Sequence, residues 1–551
     1  MTVEQPATQP AGDEDGTTAA RQGVMTGTRA AGAVGAAALI LMTANLSGSI
    51  LGYIRGAVIG AVFGQNRAGT DAFAAASIIP QMFYDLTIGA AVSAALIPIF
   101  SEVYDRSGRK ALANLSGAVF ALALPLLVVV AALLVVFAHP IMSGILLQRH
   151  ANPAGVDQAA RIVQYMIPSL LFLGSSAILL ATLYSTRRFT VSAFAAGFYH
   201  IGIMAGALLL ARPLGILALP IGALAGAAAQ ALFQVPTLIR HIGVPRIRIV
   251  LSPEIRRILR LYAPVAAGLI VSLIGQTIDL GFKWKLHSGA VYAMSQATIL
   301  TQFPIGIAVA GLSFAILPSL SADASFGRLT EFKDTLSLGI RVALFLTIPA
   351  AAGYLLLANP IAALLFEHGK TSAVGALRIS EALRGYAIQI PFVGLDQLLI
   401  FAFYARKNTV TPMLIGVLGV FIYVGSALLL LPRLHIFGLA LANTIQNSIH
   451  GVILLVLLLL SIGSLQGRGL GLSLLRVSAA TLAMVATAAL VAWGADQVVH
   501  SARLAGELAR AALPILVALA MYVGVSARLR SEELRLLNEL VRRKLGSAVR
   551  Q

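Results

Sequence analysis

The chain has 551 residues, of which 58% are hydrophobic and 11% are charged, and its mean hydropathy is +0.87. So little polar surface excludes a soluble globule of this length and indicates a polytopic membrane protein. The net charge of +18 does not indicate a nucleic-acid partner, because Lys and Arg lie in the connections between apolar runs. The absence of cysteine excludes disulfides, thiolate metal sites and cysteine catalysis.

Residues 1–30 are polar and include four acidic residues, so they lack the basic start of a signal peptide and predict a disordered cytoplasmic tail. Beyond them the apolar runs are continuous rather than alternating, which predicts an all-α protein and excludes a β-barrel. A bilayer core of about 30 Å needs about 20 apolar residues per helix. About fourteen transmembrane helices are predicted, at 33–62, 72–100, 114–138, 160–184, 190–211, 214–239, 261–283, 290–318, 336–358, 384–404, 410–431, 436–460, 473–495 and 508–527.

The basic residues predict the orientation of these helices. The two tails and every second connection carry 27 Lys and Arg, whereas the alternate connections carry 12. Basic residues concentrate on the cytoplasmic side of membrane proteins. Both termini are therefore predicted to be cytoplasmic, and an even number of spans requires the same.

An internal repeat relates the two halves of the chain. Four motif pairs recur at one constant offset in residue number, which is not a chance result. Each half contains six predicted helices, an even number, so the halves have the same orientation and form a parallel repeat. Folds of this kind bind substrate between the halves. The matched positions are Pro98 and Pro318, Pro140 and Pro360, Tyr184 and Tyr404, and Ala207 and Ala427.

A basic segment joins the two predicted lobes. Ser252 can cap a helix that has Pro253 at its first position, and Ile255, Ile258 and Leu259 would share one face between arginines. This predicts an amphipathic helix on the cytoplasmic surface. The predicted domains are a tail at 1–30, an N-terminal lobe at 31–239, the linker at 240–260, a C-terminal lobe at 261–460, two extra helices at 461–528 and a basic tail at 529–551.

The basic tail is itself amphipathic. Leu534, Leu537, Val541 and Leu545 recur at helical spacing with basic residues between them. Such a helix typically lies on anionic lipid headgroups. Anionic lipids are therefore a predicted partner.

Several motifs resemble the MurJ/MviN lipid II flippase family of the multidrug/oligosaccharidyl-lipid/polysaccharide exporter superfamily. They are LGYIRGAVIGAVFG, TDAF, IPQ and IPIFSE in the first half and FPIGIAVAGLSFAILPSLS in the second, and the likeness covers about residues 35 to 530. The resemblance implies a V-shaped cavity between two six-helix lobes, alternating access, and a groove at the last two helices for a polyprenyl tail. The motif positions expected to be structural are Asp71, Pro80, Pro98, Phe303, Pro304 and Pro318.

The chain departs from this family in its cavity. The resemblance implies four cavity arginines, of which this chain keeps Arg55 alone. The other three places fall on Ser49, Tyr84 and Ile299, while Gln81 replaces an asparagine and Gln302 replaces an acidic residue.

Arg55 is the leading candidate for substrate binding. An arginine at mid-membrane costs about 2.5–3.5 kcal/mol on insertion scales, so it normally faces a wet cavity or a partner. A guanidinium binds phosphate oxygens through two hydrogen bonds, which favours a pyrophosphate ligand. The structural alternative is an ion pair with Asp85 or Asp71, and Asp71 is itself placed to cap a helix start.

The remaining candidates are neutral donors and one charged pair. Asp279 and Lys283 share a helix face with Gln276, so they form either a cavity-facing ion pair or a substrate clamp. Asp85, beside Tyr84, would repel a pyrophosphate unless it is paired or lies near the outer mouth. The full predicted substrate-binding set is Arg55, Gln81, Tyr84, Gln276, Asp279, Lys283, Gln296 and Gln302.

Other polar groups favour structural roles. Polar stripes in membrane helices most often bind helices together. We interpret one such stripe in this way, namely Asn443, Gln446, Asn447 and His450. Asp396 and Gln397 are interpreted in the same way. The nine His show no metal-ligand spacing, and no phosphate-binding loop or catalytic motif is present, so neither a metal, a cofactor nor an enzymatic activity is predicted.

The sequence therefore predicts a flippase-like transporter in the bacterial cytoplasmic membrane that moves a polyprenyl-pyrophosphate-linked saccharide, a peptidoglycan precursor, by alternating access. One alternative is a cation-coupled exporter of drugs or of another lipid-linked glycan, favoured by a neutral or acidic cavity. The other is a non-transporting scaffold that recruits cell-wall synthesis proteins, favoured by a dry lobe interface.

Overall fold

The computed structural model describes residues 43–44, 46–84, 95–146, 153–250, 252–465, 467, 469–498 and 504–539. These residues form helices and short connections, with no strand among them. The helices of the first half are α1 (Leu46–Phe63), α2 (Ala72–Tyr84), α3 (Ile97–Val136), α4 (Ala138–Ile145), α5 (Pro153–Met166), α6 (Ser169–Ser185), α7 (Phe189–Ala195), α8 (Gly197–Leu214) and α9 (Ala218–His241).

The second half repeats this order and then adds two helices. Its helices are α10 (Pro253–Lys285), α11 (Ala290–Ala315), α12 (Leu317–Ser325), α13 (Leu329–Phe366), α14 (Ala373–Ala387), α15 (Ile390–Ala405), α16 (Val410–Ile462), α17 (Leu470–Val498) and α18 (Leu504–Arg528). A last helical stretch, α19, covers residues 532–539.

The parallel repeat extends to the backbone conformation. The pair α5 and α6 bends by 45°, and the pair α14 and α15, at the equivalent place in the second lobe, bends by 47°. Arg187 and Lys407 both have φ of +61°, and Gly215 and His435 have φ of +56° and +47°. Both pairs have the same offset in residue number as the motif pairs, so the two lobes are copies of one fold, as those motifs predict.

Two of the long helical stretches fold back on themselves. Phe189–His241 and Val410–Ile462 each contain 53 residues, far more than one span needs. The first reverses near Gly215, so that Gly202 lies against Gly226. The second reverses at His435, where a positive φ interrupts the helical backbone. Each hairpin therefore contains two of the predicted helices.

The described residues do not confirm the predicted count of fourteen spans. Seven helical stretches in the described part of the chain are long and apolar enough to cross a membrane, or nine if each bent pair counts as one, and two of the seven are the hairpins. The predicted helices at 160–184 and 384–404 lie in the two bent pairs, which are broken near Pro168 and Gln389.

The linker differs from the prediction. The Ser252 hydroxyl accepts a hydrogen bond from the Ile255 N–H at 3.4 Å, as expected for the cap. The helix then continues without a break through α10, so the amphipathic segment is not a separate surface helix. Ile255 and Ile258 are buried, whereas Leu259 is 55% exposed.

The two additional helices pack on α13, through a cluster that includes Phe345 and Tyr522. Leu534 and Leu537 of α19 are partly buried against this cluster, so the start of the tail rests on protein rather than presenting these leucines to headgroups. Glu533 fixes it there: its carboxylate accepts hydrogen bonds from Ser531 and Ser473. Val541 and Leu545 lie outside the described residues.

Candidate functional site

Arg55 lines a cavity between the two lobes. It lies on α1, and the cavity has a volume of about 480 Å³. The first lobe contributes the ends of α2 and α8, and α11 of the second lobe contributes Ile299 and Gln302. The structure thus brings together Arg55, Gln81 and Gln302 from the predicted set, with Ser49 and Ile299 at the positions where the family resemblance implies arginines.

Polar side chains form part of the cavity lining, among apolar ones, and no carboxylate is present among the described lining residues. The Nε atom of Arg55 is buried and has no hydrogen-bond acceptor in the described part of the chain. Among the described contacts, the Asp71 carboxylate binds backbone N–H groups of the second lobe rather than Arg55, and Asp85 lies outside the described residues. A buried guanidinium nitrogen without an acceptor is costly, so this site is suited to an anionic ligand.

Asp71 closes one end of the interface between the lobes. Its carboxylate accepts hydrogen bonds from the Gly289 N–H at 2.7 Å and the Tyr292 N–H at 2.9 Å. Both donors lie at the start of α11, so Asp71 caps a helix of the opposite lobe. The sequence predicts a cap for the helix that Asp71 itself begins, and the two donors named here belong to the opposite lobe.

Two further bonds cross the interface at this end. The Tyr292 hydroxyl donates to the Gly56 carbonyl at 2.6 Å, and the Lys370 N–H donates to the Ala61 carbonyl at 2.8 Å. The two carbonyl acceptors, Gly56 and Ala61, follow Arg55 on α1, toward the C-terminal end of that helix. The cavity and the closed end therefore occupy different depths of one interface.

An apolar pocket adjoins the Arg55 cavity. It has a volume of about 650 Å³ and lies between α1, α11, α13, α17 and α18. Tyr53 separates the two spaces, because its ring packs against Phe303 at 6.2 Å and its hydroxyl donates to the Ile299 carbonyl at 3.2 Å. A polar cavity and an apolar pocket thus lie on opposite sides of the same two helices.

The remaining predicted site residues lie elsewhere. Asp279 and Lys283 form an ion pair at 2.6 Å, and the Tyr423 hydroxyl donates to Asp279, so their polar groups are engaged with the second lobe. Gln276 is exposed on the same helix and Gln296 is buried against Gly56; neither lines the Arg55 cavity.

The motif residues lie in the Arg55 cavity, in the apolar pocket and at a helix start. The side chains of Tyr84 and Pro318 are outside the description, although both residues lie in helices. Pro80 lines the cavity, whereas Phe303 and Pro304 line the apolar pocket. Pro98 occupies the first turn of α3.

Sequence reasoning missed three cavity residues, namely Tyr199, His200 and Gln230. The Nδ1 atom of His200 is buried without a hydrogen-bond partner in the described part of the chain, and the ring lies near enough to Arg55 to interact electrostatically. The signal was available: His200 is a titratable residue inside an apolar run, the same criterion that singled out Arg55. Gln230 is buried and donates to Ser176 at 3.0 Å.

Two like-oriented helical lobes with a cavity between them are the architecture of secondary transporters. The sequence profile of the family described as lipid II flippase MurJ matches residues 59–511. The chain therefore belongs to the MurJ family of bacterial multi-pass membrane proteins.

Individual relatives agree with this assignment. The chain is 27% identical over 427 residues to a probable lipid II flippase MurJ of Bdellovibrio bacteriovorus, covering 76% of this chain and 81% of that protein. It is 28% identical over 426 residues to the lipid II flippase MurJ of Burkholderia cenocepacia, covering 74% and 81%.

Solved structures share the fold. A structure of lipid II flippase MurJ in an inward closed conformation has a TM-score of 0.71 at 22% identity, covering 89% of this chain and 98% of that one. An inward-facing multidrug resistance MATE family transporter of the MOP superfamily has a TM-score of 0.64 at 13% identity, covering 78% and 99%.

Proposed function

We propose that this protein is a lipid II flippase, which moves a polyprenyl-pyrophosphate-linked saccharide across the bacterial cytoplasmic membrane. The observation that carries the proposal is the pairing of the Arg55 cavity with the apolar pocket beyond Tyr53. A lipid-linked saccharide has a charged, hydrated head and a long apolar tail. Both parts have a matching environment here, on two sides of α1 and α11.

The head group would occupy the Arg55 cavity. Arg55 Nε, which has no acceptor among the described residues, can donate to pyrophosphate oxygens, while Gln81, His200 and Gln302 offer neutral hydrogen bonds to sugar hydroxyls. The cationic lining, without a carboxylate among its described residues, favours an anionic substrate over a cationic drug. A cavity between the lobes also argues against the scaffold alternative, which requires a dry interface.

The mechanism needs no catalytic step, so the protein acts as a transporter and not as an enzyme. The barrier to flipping is the desolvation of sugars and phosphates in hydrocarbon, and a hydrated cavity lowers that barrier. With both termini in the cytoplasm, as the basic residues predict, the end closed by Asp71 faces outward and the cavity opens inward. Breaking the Asp71 contacts would then expose the substrate to the outer leaflet.

Anionic lipids are a proposed partner at the cytoplasmic face. Arg246 and Arg248 of the linker line a cavity of about 450 Å³ against α3, while Ile247 and Ile249 are 68% and 73% exposed. This alternation suits the boundary between headgroups and acyl chains. Cell-wall synthesis proteins are a further proposed partner, through the basic tail.

The test is binding of a labelled polyprenyl-pyrophosphate disaccharide to purified protein. Arg55→Ala should abolish binding, whereas Arg212→Ala, an exposed arginine at the end of α8 in the same lobe, should not change it. Both variants should keep the thermal unfolding midpoint of the parent. Unchanged binding by Arg55→Ala would reject the assigned role.

The cellular test is complementation of a flippase-depleted bacterium, with the leaflet distribution of lipid II as the readout. The parent should restore lipid II to the outer leaflet and Arg55→Ala should not. Restored growth without outer-leaflet lipid II would support the scaffold alternative instead.

A further inference from the structure

A polar stripe on the second half of α16 holds the bent pair α14 and α15. The Thr444 hydroxyl donates to the Gly385 carbonyl of α14 at 2.7 Å. One turn further on, the Asn447 amide donates to Oε1 of Gln389 at 2.7 Å, and Gln389 lies at the break between the two helices. The interpretation of this stripe as a contact between helices is thus correct. These bonds secure the first arm of the 47° bend and its corner.

The stripe continues to the second arm through His450 and Asp396. The Nδ1 atom of His450 lies 2.6 Å from Oδ1 of Asp396 on α15. The two side chains are 13% and 19% exposed, so they are shielded but within reach of water. At 1.5 Å per residue His450 and Asp396 lie about 18 Å and about 14 Å from the C-terminal ends of their helices.

The contact between His450 and Asp396 is strongest when the ring is protonated. Nδ1 meets the Asp396 carboxylate, and Nε2 lies near Gly416 on the first half of α16. A neutral imidazole has one donor nitrogen, whereas imidazolium donates from both. A charged donor binds a carboxylate about twice as strongly as a neutral donor does, so the geometry favours a ring that carries two protons.

Several charged and titratable groups on the surrounding helices are engaged with other residues. In the described part of the chain, neither Lys nor Arg pairs with Asp396. The neighbouring groups and their partners are Asp279 with Lys283 on α10, Tyr292 of α11 with Gly56, Asp323 of α12 with Arg328, Arg341 of α13 with Glu532, Tyr386 of α14 with Lys283, and Arg406 after α15 with Ser461.

The pair is therefore neutral with the proton bound and carries one negative charge without it. A lone carboxylate inside a membrane span is costly unless water or a cation reaches it. Loss of the proton also removes the charge from the donor, so the ion pair that holds α15 to the stripe becomes a weaker hydrogen bond from a neutral ring. Proton release should thus loosen the second arm of the bend.

We propose that His450 and Asp396 form a proton-binding site whose occupancy holds the bend between α14 and α15. The proton is accordingly the ion that is coupled to movement of the substrate. The proton-binding site is inferred from the geometry of the second lobe alone, whereas its coupling to transport rests on the function proposed above.

The first experiment measures the bend without substrate. The chain has no cysteine, so Val374→Cys on α14 and Tyr404→Cys on α15, both exposed positions, can carry a pair of spin labels. Complete straightening would lengthen their separation by about 4 Å at a rise of 1.5 Å per residue. In nanodiscs between pH 5 and pH 8, the parent should shift from the short to the longer distance as the pH rises.

Variants test whether the pH-dependent change in the label distance comes from His450 and Asp396. His450→Gln should remove the pH dependence, and Asp396→Asn should remove it too if the first variant does not fold. His139→Gln should retain it, because His139 contacts Asp157 at 2.9 Å in a similar pair that is exposed and far from the bend. A distance that does not change with pH in the parent, or that changes equally in His450→Gln, would overturn the proposal.

The second experiment measures transport of the labelled disaccharide lipid in proteoliposomes with a gradient of two pH units. One coupled proton permits up to about a 100-fold difference in leaflet distribution. The parent and His139→Gln should respond to the gradient, and His450→Gln should flip without responding. If the bend responds to pH but the disaccharide lipid is not flipped, the proposed flippase function is wrong and the proton-binding site is still supported. If flipping is equal with and without the gradient, the coupling fails and the flippase function stands.

Discussion

The closed end of the lobe interface depends on Asp71, and Asp71→Asn should weaken it by a predictable amount. The carboxylate is fully buried and accepts two N–H groups at the start of α11, at 2.7 and 2.9 Å. An amide of the same shape has one oxygen to accept and an NH₂ group that faces the other donor. The variant therefore loses at least one charge-assisted hydrogen bond, worth about 1.5–3 kcal/mol.

This loss favours the open form because the broken bonds exist only when the lobes are closed. A difference of about 1.5–3 kcal/mol multiplies the ratio of open to closed molecules by about 10 to 150. Spin labels at Val136→Cys and Val374→Cys, exposed positions at the same end of the two lobes, can report this ratio in a substrate-free sample.

The matched control is Asp157→Asn. Asp157 also contacts a partner, His139, but in an exposed pair within one lobe, so this variant should leave the ratio unchanged. A ratio in Asp71→Asn within a factor of two of the parent would show that the two hydrogen bonds do not hold the lobes together. Such a result would refute the role assigned to Asp71 at the closed end.

Three other predictions concern packing, substrate length and pH. Gly226→Ala should lower stability by about 1–3 kcal/mol, because its Cβ would lie 2.7 Å from a backbone carbonyl; the midpoint of thermal unfolding checks this, and Gly425→Ala, which has nothing within 4 Å, should cause no loss. Ala518→Trp should fill part of the apolar pocket and weaken binding of long-chain polyprenyl pyrophosphates while sparing short-chain analogues; Leu516→Trp, exposed on the same helix, should not discriminate between chain lengths. Burial alone would raise the pKa of Glu533, but hydrogen bonds from hydroxyl and backbone groups outweigh it and hold that pKa below its usual value, so docking of α19 should be stable at neutral pH and weaken as the pH falls below about 4; hydrogen-exchange protection factors of residues 532–539 that do not fall in acid would contradict this.

The fold was largely predictable because its determinants are local and repeated. Continuous apolar runs located the helices, and the constant offset between matched motifs identified the two lobes before any contact was known. The same offset relates the positive φ angles at Arg187 and Lys407, which follow equivalent helices. A duplicated chain preserves its turns as well as its spans, so the repeat was the strongest evidence in the sequence.

The site was less predictable because its contacts join distant parts of the chain. Asp71 reads as the cap of its own helix, and no local pattern shows that its partners lie in the other half of the chain. Leu534 and Leu537 show the spacing of a membrane-surface helix, yet they pack on the protein because α17 and α18 provide an apolar surface nearby. Periodicity identifies an apolar face but does not identify what covers it.

The hairpin at His435 has a practical consequence. Its backbone angles, φ +47° and ψ −122°, belong to a region that glycine occupies freely and other residues occupy at a cost of about 1–3 kcal/mol. The first lobe has Gly215 at the equivalent position, so the ancestral turn could accept glycine. His435→Gly is therefore a single exchange that should raise thermal tolerance in detergent, and it gives a route to sturdier samples for crystallisation without altering either the cavity or the apolar pocket.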